Sequence, residues 1–296
     1  MASLQSVRAT VAFTWLLFTL AAAAQPPGRA PAPARSPRDA AQVDITGNWV
    51  AQITEDWRWR MITPPKGDYA SVPLNQLGRQ VAGGWDPAAD AAAGEACRAF
   101  GAGGVMRLPT RLRVAWADES TLRIETDAGS QIRVLHFDRT AAADAAPSWQ
   151  GHSIAEWVGV PQAANPFGAL VAPTQEAAAA RGRAAPAGAP AGAATRAALP
   201  APRGSLKVIT TNLRAGYLRK NGVPYSERAV VTEYFDRFSI FGSDYLQVVT
   251  IVTDPMYLTT PFVVSNHFKH EADDSKWNPT PCVTDAPLGT FQPPSF

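Results

Sequence analysis

Apolar and polar residues alternate along the patterned parts of this chain with a period of two, which predicts β-strands. The longest such stretch covers residues 204–268 and contains four segments rich in Val, Ile, Thr, Tyr and Phe. The segments are separated by Asn221-Gly222, Gly242-Ser243 and Asp254-Pro255, which are typical turn sequences. Because no helix-period pattern interrupts the stretch, it predicts an up-and-down antiparallel meander.

A second alternating run begins at Pro109 and predicts three short strands joined by tight turns. The residues predicted to share the core face are Leu112, Val114, Trp116, Leu122, Ile124, Ile132, Val134 and His136. The residues predicted to face solvent are Arg111, Arg113, Arg123, Glu125 and Arg133. Further strands are predicted at 43–54 and 148–158, and a short helix at 73–81. Such alternation indicates a sheet with one buried face.

Residues 161–203 are almost entirely Ala, Pro, Gly and Arg, and the pattern predicts a disordered insertion. About five strands are expected before it and four to five after it, and neither set closes a sheet alone. We therefore predict one all-β domain over residues 43–282, an antiparallel up-and-down barrel of roughly 8–10 strands. Residues 25–42 are predicted to be a disordered leader, and 283–296 a loose tail.

The N-terminal residues predict export. One charge at Arg8 precedes an apolar run over 9–20, and small residues follow to Ala24. This pattern is typical of a secretory signal peptide, residues 1–24, which is cleaved on export. The alternative is an uncleaved membrane anchor. Cleavage would leave a periplasmic or secreted protein with no stable membrane insertion.

Cysteine content and charge limit the chemistry. In an exported protein Cys97 and Cys282 most simply form one disulfide, the alternative being two free thiols. A net charge of +2 over 296 residues gives no electrostatic case for nucleic acid, so a small molecule is the expected partner.

The sequence offers no cofactor motif. Residues 101–104 lack the third glycine of a dinucleotide loop, and no Walker sequence occurs. Residues 151–155 resemble a nucleophile elbow but lack its second glycine. His267 and His270 would lie on opposite faces of a strand, so no metal site is predicted.

Two short motifs resemble known families. Gly47-x-Trp49 on the first strand, with Thr253-Asp254-x-x-Tyr257 after a late one, resembles the lipocalin-like (calycin) barrels, although Pro255 departs from their pattern. That resemblance implies a barrel that binds a small apolar or aromatic molecule. The phrases at 221–226 and 254–258 also resemble uncharacterised exported bacterial proteins, which bring no established activity.

Two side chains are candidates for acid and base chemistry. Glu233 lies on a strand that is apolar on both faces, so it either pairs with an arginine or lines a ligand cavity as a general acid or base. His136, on the predicted core face, is the second candidate, with a hydrogen-bonded core histidine as the alternative.

Aromatic and basic residues are the candidates for ligand contacts. Trp57 and Trp59 alternate with Arg58 and Arg60 if the chain is extended there. The full set of candidate ligand contacts is Trp57, Trp59, Arg133, Tyr217, Arg219 and Tyr225. Three functions compete: a small-molecule binding protein, a cofactor-free lyase, isomerase or hydratase that uses Glu233 and His136, and an envelope interaction protein.

Overall fold

The computed structural model of the protein describes residues 35–140, 146–159 and 204–284. The predicted signal peptide (1–24) and the predicted insertion (161–203) lie outside these residues. Among the residues described, no helix is both long enough and apolar enough to span a bilayer.

Nine of the described strands close into a barrel, and two more form a separate hairpin. In chain order the strands are β1 (Gly47–Gln52), β2 (Arg111–Trp116), β3 (Thr121–Thr126), β4 (Ile132–His136), β5 (His152–Gly159), β6 (Gly204–Thr211), β7 (Gly216–Arg219), β8 (Val223–Tyr225), β9 (Val230–Ile240), β10 (Ser243–Thr253) and β11 (Phe262–Glu271). The hairpin is β7–β8, and the other strands form the barrel.

The barrel strands follow the order β1-β11-β10-β9-β6-β5-β4-β3-β2, and β2 returns to β1. All neighbours are antiparallel except β4 and β5, which pair in parallel at Leu135 with Ser153 and at His136 with Ile154. A closed ring with an odd number of strands cannot alternate direction throughout, so nine strands require one parallel pair. The long connection over residues 137–151 suits a parallel pair, because such strands cannot be joined by a tight hairpin.

The barrel and its strand number agree with the prediction, whereas a strictly up-and-down antiparallel order is wrong at β4–β5. The predicted meander also differs. The first predicted segment forms two strands, β6 and β7, and the second forms β8 and β9. Strands β7 and β8 form a hairpin outside the barrel around the Asn221-Gly222 turn, and β6 pairs directly with β9. Residues 212–215 follow β6 and lead into the hairpin.

Short helices lie between β1 and β2. They are α1 (Trp57–Arg60), α2 (Gln76–Gly83) and α3 (Pro87–Ala92), with 3₁₀ turns at Ala96–Phe100 and Val105–Arg107. A further 3₁₀ turn, Ala128–Ser130, lies between β3 and β4. Helix α2 begins where Asn75 Oδ1 accepts from Gly78 N at 2.8 Å, and α3 where Asp86 caps the chain before Pro87. Asn75 also donates to Met256 O at 2.9 Å, which ties α2 to the loop after β10.

Apolar side chains fill the barrel interior. One buried cluster occupies the barrel and includes Trp49, Phe235 and Phe268, each fully buried. A second cluster joins α2, the hairpin β7–β8 and the ends of β9–β11, and includes Leu218 and Tyr225. The barrel interior is therefore filled with side chains and does not form an open ligand cavity.

Two peripheral segments are attached to the barrel. Cys97 and Cys282 form a disulfide, as predicted, which ties the chain after β11 to the 3₁₀ turn at Ala96–Phe100. The same C-terminal segment also contacts the turn that follows β3. In that contact Thr280 N donates to Asp127 O at 2.9 Å. Residues 35–42, part of the expected disordered leader, also contact the barrel, where Ser36 Oγ donates to Glu119 at 2.9 Å.

Candidate functional site

A fully buried ion pair crosses the barrel interior. Arg133 on β4 donates to the two carboxylate oxygens of Glu233 on β9 at 3.0 and 2.6 Å, and neither side chain is exposed. Because β5 and β6 separate these strands in the sheet, the two side chains meet across the lumen. Arg133 also donates to Thr210 Oγ1 at 3.3 Å, which lies 2.7 Å from Ser153 Oγ. These groups form a polar layer between the two apolar clusters.

The polar layer contains further buried atoms with no hydrogen-bond partner among the described residues. They are Arg133 Nε, Thr250 Oγ1 and both side-chain polar atoms of Asn266. Thr250 pairs in register with Glu233. Polar atoms of this kind are ordinarily satisfied by internal water. The layer thus pairs Glu233 with an arginine, one of the two alternatives that the sequence left open.

The prediction for the faces of β4 was wrong. Arg133 was expected to face solvent with the other arginines, but it is fully buried, whereas Ile132 and Val134 are 48% and 39% exposed. The reason is the carboxylate of Glu233 inside the barrel. Burying an unpaired carboxylate costs far more than exposing two β-branched side chains. Interior pairing therefore decides the orientation of β4.

His136 shares the outward face of β4 with Ile132 and Val134, and its ring stacks on His152 at 5.4 Å. Partial burial, reinforced by the His152 imidazole, lowers the pKa of His136. Glu233 lies inside the barrel, so the structure does not bring the two candidate acid and base groups together. Their catalytic roles stay predictions.

Tyr225 is enclosed by glycines. Its ring is fully buried, its hydroxyl has no partner among the described residues, and burial raises the pKa of that hydroxyl. A Cβ added at Gly101, Gly103 or Gly216 would meet the Tyr225 side chain. Gly101, Gly103 and Gly104 therefore allow this segment to pack closely against the hairpin β7–β8.

Replacing Gly101 with Ala should lower the free energy of unfolding by about 1 to 3 kcal/mol, because the new methyl group would overlap Tyr225 and approach Trp149 O to 2.9 Å. Chemical denaturation measures this. Adding Tyr225→Phe should recover part of the loss by removing the overlapping hydroxyl. Gly83→Ala, where the methyl group meets nothing within 4 Å, is the matched control. Equal stabilities of the Gly101 and Gly83 variants would contradict the packing described.

A cleft of about 350 Å³ opens beside this packed region, between α2, α3 and the hairpin β7–β8. The lining residues are Val81, Gly84, Trp85, Asp86, Ala89, Asp90, Arg98, Ala215, Gly216, Tyr217, Pro224, Tyr225 and Tyr257. Three of its aromatic rings, from Trp85, Tyr217 and Tyr257, come from separate parts of the chain. Small residues between them leave the space open.

A hydrogen-bonded group of three side chains lines one side of the cleft. Tyr217 donates its hydroxyl proton to Asp90 at 2.8 Å, and Arg98 donates to Asp90 at 2.9 Å and to the Tyr217 oxygen at 3.1 Å. Burial raises the pKa of Tyr217 to about 12, so its hydroxyl stays protonated at neutral pH. These contacts hold the Tyr217 ring and a carboxylate in fixed positions.

The two phrases singled out in the sequence, at 221–226 and 254–258, meet at this cleft. Ser226 Oγ donates to Asp254 at 2.8 Å, which joins the turn after β8 to the turn after β10. The two phrases supply Tyr225 and Tyr257 to the cleft wall. Their turn chemistry thus positions aromatic rings.

The other candidate ligand contacts lie elsewhere. Residues 57–60 form a helical turn rather than a strand, so Trp57 is 65% exposed and Arg60 is buried. Trp59 packs instead against Arg219, whose guanidinium carbon lies 4.9 Å from the ring centroid. Sequence reasoning missed Trp85, Asp90 and Tyr257, because the contacts that bring them to the hairpin are long-range.

Trp49, the tryptophan of the Gly47-x-Trp49 motif, is a packing residue in this chain. Trp49 is fully buried, donates to Ile45 O at 3.0 Å and lies under the guanidinium of Arg237 at 5.6 Å. Among the described residues no group of three or more His, Cys, Asp or Glu side chains is placed to hold a metal ion.

Comparisons with family models, curated proteins and solved structures found no match to this chain. The barrel is therefore established by its own strand pairing.

Proposed function

We propose that this is an exported protein that binds a small aromatic molecule in the cleft beside the hairpin β7–β8. The observation that supports this most directly is the cleft itself, about 350 Å³ in volume and walled by Trp85, Tyr217 and Tyr257. Its volume lies in the range that small-molecule sites occupy. Asp90 would accept from a hydroxyl or amine of the ligand, since its carboxylate already lines the cleft. The N-terminal pattern supports export.

In this proposal the ligand binds in the cleft beside the hairpin β7–β8, whereas the resemblance found in the sequence implied a ligand inside the barrel. Packed side chains and the ion pair between Arg133 and Glu233 occupy the interior. A cofactor-free enzyme would need Glu233 and His136 at one place, and they lie on different sides of the sheet wall. Ligand binding therefore has more support than catalysis.

The first experiment is native mass spectrometry of protein purified from its own host, to look for a retained molecule. Phenol and indole then serve as probes in ligand-observed NMR. Replacing Tyr257 with Ala should weaken probe binding by about 10-fold or more, because one aromatic wall is lost.

Tyr245→Ala is the matched control. Tyr245 is also half-buried, but its ring stacks on Phe238 on the outer face of the barrel at 5.6 Å. Its replacement should leave probe affinity unchanged. If both variants bind phenol and indole as tightly as the unmodified protein, the cleft is not the binding site.

A further inference from the structure

Arg219, at the end of β7, is a buried cation without a hydrogen-bond partner. Arg219 is 3% exposed, and none of its three guanidinium nitrogens has a hydrogen-bond partner among the described residues. The Trp59 ring, 4.9 Å from the guanidinium carbon, and the charges of Asp56 and Asp68 favour its cationic form without a hydrogen bond. Buried charged groups are normally paired and hydrogen-bonded, because desolvation otherwise makes them costly. Arg219 therefore lacks the partner that its burial calls for.

The neighbouring arginines do have ion-pair partners. The pairs are Arg58 with Asp68 at 2.9 Å, Arg60 with Glu55 at 2.8 Å and Arg107 with Asp56 at 3.1 Å. Within the described part of the chain, Arg219 is the member of this group that forms no ion pair. Burial, reinforced by the charge of Arg107, lowers the pKa of Arg219 to about 10, so it is still a cation at neutral pH.

The helical turn α1, which supplies the Trp59 ring, also carries unpartnered donors. Trp59 Nε1 and Arg60 Nη2 are buried and have no partner among the residues described, like the three nitrogens of Arg219. Arg60 is held in place by its Nε, which donates to Arg107 O at 2.8 Å. A ligand that satisfies such a set must bring several acceptor oxygens and a negative charge. A guanidinium suits this role because its planar fork matches carboxylate and phosphate geometry.

We propose that Arg219, with Trp59 and Arg60, forms a binding site for the carboxylate or phosphate group of a small anion. Trp59 packs against the guanidinium. Because Arg58, Arg60 and Arg107 are each paired with a carboxylate, Arg219 is the arginine of this group whose charge is left for a ligand. None of these three residues lines the aromatic cleft. A test of this anion site is therefore independent of a test of the aromatic cleft.

The test measures the melting temperature of the full chain in sodium acetate, sodium phosphate and sodium chloride at equal ionic strength. Acetate or phosphate at about 100 times its dissociation constant should raise the melting temperature by about 5 °C relative to chloride. Arg219→Met should weaken this binding by about 10- to 100-fold, because the charge-assisted hydrogen bonds are lost. A response to acetate alone assigns a carboxylate, and a response to phosphate alone assigns a phosphate.

Arg113→Met is the matched control, since Arg113 also stacks on a tryptophan, Trp277, at 4.1 Å but is paired with Asp274. It should keep the full response to the anion. In chloride, Arg219→Met should melt at or above the temperature of the unmodified protein, because it removes an unpaired buried charge. Absence of any acetate or phosphate effect on the unmodified protein overturns the proposal. An equal effect on the Arg219 variant does so as well.

Discussion

Replacing Glu233 with Gln should lower the free energy of unfolding by about 3 to 5 kcal/mol, because Arg133 would be left as an uncompensated charge inside the barrel. For a domain of this size that corresponds to a drop in melting temperature of about 10 °C. Denaturant titration followed by circular dichroism measures the first quantity, and thermal melts measure the second. Binding of phenol or indole should persist below the melting temperature, since Glu233 does not line the cleft.

Glu156→Gln is the control for the loss of a carboxylate. Glu156 pairs with Lys207 and Arg139 on the outside of the barrel, and its side chain is 38% exposed, so the change should cost about 1 kcal/mol or less. Replacing both Arg133 and Glu233 with Met should recover most of the loss, because a buried apolar pair needs no partner charge. A Glu233→Gln protein as stable as the control would mean that water reaches the pair.

Opening the disulfide should be the second large effect. Cys97 and Cys282 are 185 residues apart, so their bond removes much of the freedom of the unfolded chain. Replacing both with Ala should lower the free energy of unfolding by about 2 to 5 kcal/mol. Denaturant titration of the double variant measures this, beside the unmodified protein with and without a reductant.

The same variant should lose protection of the chain after β11. There Ser130 Oγ donates to Thr280 O at 3.0 Å. Without the covalent link this hydrogen bond would open to solvent more often. Hydrogen exchange at residues 280–284 should therefore speed up while exchange in β9 and β10 changes less. Ser130→Ala, which removes one of these hydrogen bonds and keeps the disulfide, is the control. Unchanged stability and unchanged exchange in the Ala double variant would show that the bond is not formed in the folded protein.

The strands were predictable because their residues alternate with period two, and β2, β3 and β10 follow that alternation closely. Which side chains of β4 face the barrel interior was not predictable, because this depends on the ion pair of Arg133 with Glu233, 100 residues further along the chain. Residues 57–60 alternate as a strand would, yet they form a helical turn in which Arg60 reaches Arg107 O. Local pattern fails where a long-range polar contact decides the conformation.

The candidate site was predictable only in part. Tyr217 and Tyr225 stand out in sequence because they flank a hairpin turn, and both line the cleft. Trp85 and Asp90 come from a region with little apolar periodicity. Their place beside the hairpin depends on the contact of Asn75 with Met256, which joins residues 181 apart and has no local signal in the sequence.

The pairing of β1 with β11 has a consequence for how the molecule is made. Trp49 lies opposite His270, so the barrel wall stays open until more than two hundred further residues have emerged from the ribosome. Until then β1 has one free edge with unpaired amides and carbonyls, which invites association with other chains. Closure of this kind is slow, because it joins the most distant strands of the domain. A chain truncated before β11 should therefore aggregate rather than persist as a smaller barrel.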